Sequence, residues 1–155
     1  MSNYGLKNSN FTVCTTAITG TQDTDIDGTP VDMQGYEGVM FMVPIIATSA
    51  TSDTLMGIVG AESASSGGTF LDYTTATGQI KFLSTAANLG DDTLVILDIH
   101  KPKDRWVRPT LISSSEMMHG SCIAVRYGTR EGPTVFSTAT DGVSASAVFA
   151  TPSTG

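Results

Sequence analysis

The chain has 155 residues and a formal net charge of −7, and only 15% of its residues are charged. The length is that of one domain, and the acidic balance argues against a nucleic-acid partner, which requires a basic surface. The apolar runs reach about ten residues, too short to span a bilayer as a helix, so we expect no membrane partner. The low charge is typical of a surface that meets other protein.

The first third of the chain predicts a polar arm followed by strands and one loop. Residues 1–10 are polar and rich in Asn, and we predict an N-terminal arm there. Residues 10–17 alternate apolar and polar side chains, which predicts a first strand. Residues 18–30 are dense in Asp, Thr and Gly and indicate a loop. Residues 38–46 form a strand that is apolar on both parities, and Pro44 implies an edge, a bulge or the strand's end.

A hairpin is predicted next. Residues 55–62 have strand character, 64–68 form a turn rich in Ser and Gly, and 69–75 pair back across it. Residues 79–83 indicate a short strand, and residues 86–90 could hold one helical turn at most.

Three runs between residues 93 and 127 carry the clearest β pattern. Residues 93–100 begin apolar on both parities, so we expect both faces of that strand to be buried. Residues 101–104 break the pattern with turn chemistry, and residues 105–112 resume an extended pattern. Residues 121–127 alternate with period two. The predicted core residues are Val39, Phe41, Val43, Val95, Leu97, Ile99, Val107, Ile123 and Val125.

These patterns together predict an all-β fold, because no segment has a sustained helical period. We expect an antiparallel β-sandwich or a small, jelly-roll-like β-barrel spanning residues 11–128. Residues 129–155 are low in charge, rich in Ser, Thr, Ala and Gly, and interrupted by Pro133 and Pro152. They predict an extended C-terminal arm.

Two cysteines, Cys14 and Cys122, lie far apart in the sequence without a C-x-x-C motif. A single disulfide is conceivable, but Cys is among the most buried residue types, and we expect two free, buried thiols.

One loop resembles a calcium site in part. Asp23, Asp25 and Asp27 precede Gly28 in the D-x-D-x-D-G order of a calcium loop. The twelfth position is Gln34 rather than a bidentate Glu, which favours a solvated turn. These three residues are weak metal candidates, and we expect no metal or other cofactor.

Catalytic signals are weak. His100 and His119 are the only histidines, and no G-x-S-x-G elbow supports a nucleophile. We therefore expect a protein that is not an enzyme.

A cluster of cations is the exception in this acidic chain. Arg and Trp are frequent anchors of protein interfaces, which makes these residues the best candidates for a contact surface. Trp106 could equally belong to the core. The interface candidates are Lys101, Lys103, Arg105, Trp106 and Arg108.

Three short motifs carry a family resemblance: V-D-M-Q-G-Y-E at residues 31–37, K-P-K-D-R-W-V-R-P at 101–109, and A-V-R-Y-G at 124–128. In this order the chain resembles small structural proteins of tailed bacteriophages that are encoded near the capsid genes. The resemblance covers residues 31–133. It implies a non-enzymatic protein of the virion that decorates or cements the outside of the head.

The expected partners are the major capsid protein and further copies of the chain, as a homotrimer matched to capsid symmetry. We expect synthesis in the host cytoplasm, since no signal-peptide pattern opens the chain. Three alternatives remain: a head-completion or tail protein of the same virion, a host- or carbohydrate-binding module, and a hydrolase.

Overall fold

The computed structural model describes residues 9–19, 24–48, 55–74, 78–83, 93–113 and 117–128. The described residues contain strands and turns and no helix, so the all-β prediction is confirmed. No helix among them is long and apolar enough to cross a membrane. The strands are Asn10–Thr15 (β1), Ile18–Thr19 (β2), Ile26–Asp27 (β3), Val31–Asp32 (β4), Gly38–Thr48 (β5), Leu55–Ser63 (β6), Leu71–Asp72 (β7), Gln79–Leu83 (β8), Thr93–His100 (β9), Trp106–Ser113 (β10), Met117–His119 (β11) and Cys122–Tyr127 (β12).

The strands form two antiparallel sheets that pack as a β-sandwich. In the first sheet β5 is central: β9 pairs along one side, and β12 followed by β11 pairs along the other. The outer side of β12 pairs with β1, and β11 pairs with β2. In the second sheet β6 and β10 pair along their full lengths. The short strands β3 and β4 flank β10, while β7 and β8 flank β6.

The core lies between the sheets and contains the inward side chains of the long strands. Phe41, Ile58, Leu97, Leu111 and Val107 are at most 1% exposed. Each comes from a strand in which alternate residues face inward, as the period of two requires. Seven of the nine predicted core residues belong to this cluster.

The other two predicted core residues, Ile123 and Val125, lie on the opposite face of β12. Val125 is buried there at 7% exposure, so its predicted burial is confirmed, whereas Ile123 is only half-buried and its assignment to the core was wrong. Cys122 and Ala124 are the β12 residues that fill the core, and both are fully buried. The period of two was correct, but its phase was inverted. Both parities of β12 carry apolar side chains, and hydrophobicity alone favoured the larger ones.

The strand at 93–100 also differs from expectation. Val95, Leu97 and Ile99 are buried, whereas Leu94 is 56% exposed and Ile96 is 43% exposed. The expectation that both faces of β9 are buried was therefore wrong. Only one face of this sheet packs against the second sheet, and the apolar pattern continues on the face that does not.

Several predictions made from local features of the sequence agree with the structure. The hairpin is present, since β7 pairs with Ala61 and Glu62 at the end of β6. Residues 79–83 form β8. Pro44 lies beside the register shift in the pairing of β11 with β5, and its carbonyl accepts a hydrogen bond from Gly120 N at 2.8 Å. Residues 86–90 and the arms at 1–8 and 129–155 lie outside the described residues, so those interpretations stay predictions.

Candidate functional site at one end of the sandwich

The three motifs meet at one end of the sandwich. This end, called the motif end below, is formed by residues 31–38, 98–106 and 126–128. It lies where β4 ends, β5 begins, β9 ends, β10 begins and β12 ends. The chain thus brings together segments almost a hundred residues apart in sequence. Two backbone hydrogen bonds join them directly: Lys101 N donates to Glu37 O at 2.7 Å, and Met33 N to Arg105 O at 2.8 Å.

Asp32 is the anchor of this end. Its carboxylate accepts two hydrogen bonds from Arg105, with Nε–Oδ1 at 2.9 Å and Nη2–Oδ2 at 2.6 Å. Its Oδ1 also accepts from Gln34 N at 2.9 Å, which fixes the turn that follows β4. The pairing is bidentate, a geometry that a guanidinium offers and an ammonium group does not. Nε and Nη2 of Arg105 both donate to Asp32, so neither nitrogen is available to a partner protein.

Arg126 ties the same region to the N-terminal strand. Its Nη1 donates to Asp32 O at 2.8 Å, and its Nη2 donates to Asn10 Oδ1 at 2.6 Å and Thr12 Oγ1 at 3.2 Å. Its guanidinium carbon lies 4.9 Å from the centre of the Tyr36 ring. One side chain thus links β1, β4, β12 and the loop before β5. Its function in this structure is to close the end of the core.

Glu62 holds the turn between β9 and β10 from the second sheet. Its Oε2 accepts from Lys103 N at 3.0 Å, from Asp104 N at 3.3 Å and from Tyr73 Oη at 2.6 Å. Burial, followed by the contact with Glu62, raises the pKa of Tyr73. The tyrosine therefore stays protonated at neutral pH and donates to the carboxylate.

Gly38 makes room for a second tyrosine contact. A side chain at this position would collide with the Tyr127 ring, which crosses it to reach β9. Tyr127 Oη donates to Asp98 Oδ1 at 2.6 Å, and the ring stacks on His100 with centroids 6.4 Å apart. Burial and then the bond to Asp98 raise the pKa of Tyr127. His100 accordingly lies at an exposed rim, as its position beside the turn predicts.

Two lysines differ from these arginines. Lys101 and Lys103 are exposed and form no ion pair with a described carboxylate. Lys101 has a φ of 52°, a left-handed conformation that is rare for a residue with a side chain. The turn is held there by the hydrogen bond from Lys101 N to Glu37 O and by the bond from Lys103 N to the Glu62 carboxylate. The two lysines border an open recess that is also lined by Met33, Gln34, Tyr36 and Pro102.

The remaining interface candidates lie on the outer face of the second sheet. Trp106 is half-buried and outside the core cluster, with the Arg105 guanidinium 5.6 Å from its ring centre. Arg108 pairs with Asp27 at 2.9 Å and lies 4.8 Å from the Phe70 ring centre. The structure therefore brings Lys101, Lys103 and Arg105 to one turn, and separates Arg108 from them along β10.

The two weak metal candidates that the structure describes, Asp25 and Asp27, do not form a metal site with other described residues. Asp27 is part of β3, where Oδ1 accepts from Thr110 Oγ1 at 2.8 Å and Oδ2 pairs with Arg108. Asp25 is exposed, and Asp23 lies outside the described residues. Within the described ranges, no three His, Cys, Asp or Glu side chains are close enough together to hold a metal ion.

The two thiols and the second histidine are buried in the first sheet. Cys14 and Cys122 are free, as expected from the sequence. Burial raises the pKa of Cys14 to about 12 and also raises the pKa of Cys122, so both stay protonated and unreactive at neutral pH. His119 is 0% exposed and its Nδ1 lies 2.8 Å from Gly120 O. Its Nε2 has no partner within the described part of the chain.

The site candidates chosen from the sequence did not include the residues that organise this end, namely Asp32, Glu62, Arg126 and Tyr127. Three of them stand inside the short motifs, but a motif does not say whether a residue meets a partner or its own fold. Glu62 gave one usable signal: it is a carboxylate near the end of an otherwise apolar strand. Such a residue is expected to have a specific partner.

The Asp32 contact predicts an acid sensitivity. The hydrogen bond from Arg105 is the largest cause that holds the pKa of Asp32 below its usual range, and burial opposes it. Because the folded-state pKa is lowered, this carboxylate stabilises the fold above the unfolded value of about 3.9. That contribution is lost as the pH falls through the folded-state pKa.

We therefore expect the Asp32→Asn variant to lose less stability than the parent protein when the pH is lowered from about 5 to about 3. Urea unfolding at the two pH values measures the difference. Asp72→Asn, on the exposed strand β7, is the matched control for removing one negative charge. An equal pH dependence of the parent and Asp32→Asn would contradict the assignment.

Comparison with known proteins adds no family to this description. No protein-family model matches the sequence, and no curated protein matches it either.

Proposed function

We propose that this protein decorates or cements the outside of a tailed-bacteriophage head. It binds the major capsid protein at joints between shell subunits, as a homo-oligomer that the symmetry of such joints favours as a trimer. The resemblance of the three motifs supports the phage assignment. The sandwich supports a structural role, because two sheets joined by long antiparallel pairings form a body that resists shear. On this proposal the protein is located on the virion exterior.

The turn at residues 101–103 is the feature that supports our proposal for the contact surface. The three arginines near the motif end and β10 are engaged within the chain: Arg105 by Asp32, Arg108 by Asp27, and Arg126 by Asp32 O. Among the cations whose side chains the structure describes, Lys101 and Lys103 remain exposed without such a pair. A left-handed lysine is a costly conformation that the fold maintains through the backbone bond to Glu37. We infer that this turn presents its ammonium groups to carboxylates on the capsid surface.

The C-terminal arm supplies a second contact in this proposal. Residues 142–155 reach an adjacent subunit, where an extended chain gains affinity from main-chain hydrogen bonds. Several weak contacts repeated on a symmetric lattice then produce stable attachment.

Heads purified without this protein provide the test. The parent protein should bind them saturably, as measured by co-sedimentation over a range of protein concentrations. The Lys101→Gln/Lys103→Gln variant should bind roughly tenfold more weakly at low salt, because two ion pairs are lost at every copy of an oligomer. The difference should shrink as salt is added.

The matched control is Thr16→Glu/Ala17→Glu, which changes the net charge by the same −2 at exposed positions after β1, at the other end of the first sheet. Equal weakening in both variants would show a general charge effect and exclude the turn as the contact. Failure of the parent protein to bind such heads would overturn the proposed function itself.

A further inference from the structure

The outer face of the first sheet is apolar across all its long strands. Val13, Ile123, Met42 and Ile96 stand directly opposite one another in a single row from β1 to β9. The next row toward the motif end consists of Phe11, Val125, Met40 and Asp98. Within these two rows Asp98 is the only charged side chain.

Within the described part of the chain this face is exposed on β9 and near the end of β5, while Val125 is buried and the other apolar residues of the two rows are half-buried. Leu94 is 56% exposed, Ile46 is 46% exposed and Ile96 is 43% exposed. The outer face of the second sheet is different in kind, because it carries the ion pairs of Asp27 with Arg108 and of Asp32 with Arg105. A contiguous apolar face on one side of a sandwich marks a surface that is covered by something.

The sequence that follows β12 has the composition expected of a segment that packs on an apolar surface. Twenty-seven residues follow Gly128, and Arg130, Glu131 and Asp141 are the charged ones among them. The large apolar residues in this segment are two adjacent pairs and one single residue between the pairs. The pairs are Val135 with Phe136 and Val148 with Phe149, and the single residue is Val143. Ser, Thr, Ala and Gly fill most of the remainder.

The exit point of the chain favours docking on the same subunit. The segment leaves from β12, which lies inside the first sheet between β1 and β5, at the motif end. Gly128 has a φ of 72°, so the chain turns as it leaves the strand, and Gly132–Pro133 is a second turn signal. The row that contains Ile123 and Met42 lies five residues before Gly128 along β12, about 17 Å away. Seven residues from Gly128 to Val135 span up to roughly 23 Å, which is enough to reach it.

We propose that residues 129–141 pack over the outer face of the first sheet of their own chain, with Val135 and Phe136 against Ile96 and Met42. Covalent attachment gives the segment an effective concentration in the millimolar range, so a modest apolar contact suffices to hold it. Residues 142–155 then extend beyond the body. This inference rests on the exposed face and the attached sequence and does not depend on the proposed capsid role.

Disulfide trapping in the purified full-length protein tests the contact. Ile96→Cys/Phe136→Cys should form a disulfide within one chain, seen by non-reducing electrophoresis and located by peptide mass spectrometry. The control is Leu71→Cys/Phe136→Cys, because Leu71 is 69% exposed but belongs to the second sheet. Both native thiols are buried, so they can remain in place.

The pair at 96 and 136 should oxidise roughly tenfold faster than the control pair, owing to its higher effective concentration. Equal rates would overturn the proposal. A disulfide that joins two chains would also overturn it and would assign the face to a second copy.

A second measurement does not depend on cysteine chemistry. Val135→Ser/Phe136→Ser should raise the binding of a hydrophobic fluorescent dye several-fold, since the face is uncovered. Val148→Ser/Phe149→Ser removes a matched pair from the outer part of the arm and should leave dye binding unchanged. Equal dye binding by the two variants would overturn the proposal. No capsid is present in either measurement, so loss of head binding and loss of this contact are separate results.

Discussion

Phe41→Ala should lower the free energy of unfolding by about 3–5 kcal/mol. Phe41 lies in the middle of β5, is 0% exposed, and is paired between Leu97 of β9 and Ala124 of β12. Its removal leaves a cavity between two sheets whose backbones are fixed by their hydrogen bonds, so the site cannot collapse to fill it. Urea unfolding followed by circular dichroism gives the value.

The control for this substitution is Ile46→Ala on the same strand. Ile46 is 46% exposed on the outer face, and its truncation should cost much less. Equal losses for the two variants would contradict the assignment of inner and outer faces to β5.

Arg126→Ala should lower the free energy of unfolding by about 2–3 kcal/mol, the second-largest effect we expect. The substitution leaves Asp32 O, Asn10 Oδ1 and Thr12 Oγ1 without their charged donor and removes the contact with the Tyr36 ring. The free energy comes mainly from acceptors that are partly buried and lose their partner. The same urea titration measures it.

Two variants separate this explanation from a simple loss of charge. Arg126→Lys keeps the charge but cannot reach the three acceptors at once, and should recover only part of the loss. Arg105→Ala removes an exposed pair and should be far less destabilising. If Arg105→Ala were as harmful as Arg126→Ala, Arg126 would not be the residue that closes the core.

The sequence was sufficient for the class of fold because period-two alternation and turn residues are local signals. It was insufficient for the phase of β12, where Ile123 and Val125 face outward and Cys122 and Ala124 face inward. Larger apolar residues are the usual guide to the inner face. That guide fails when the outer face is largely apolar as well, as it is in the first sheet.

The candidate site shows a different limit of prediction from a single sequence. The basic cluster lies in one stretch of sequence, but its members have different roles in the structure. Arg105 and Arg108 are engaged by Asp32 and Asp27, which lie more than seventy residues earlier in the chain. Long-range pairing of this kind is set by strand order, which a single sequence does not reveal. The lysines of the turn were predicted with the rest, while the left-handed conformation of Lys101 emerged only from the structure.

The most direct test of the central proposal is electron microscopy of the purified phage head with and without this protein, at a resolution that shows strands. We predict density for one sandwich at each symmetry-related joint on the outer surface, with Lys101 and Lys103 of the motif end facing the shell. That density should disappear from heads assembled without the protein. Density confined to the neck, the tail or the interior of the head, or identical heads in both preparations, would contradict the proposal.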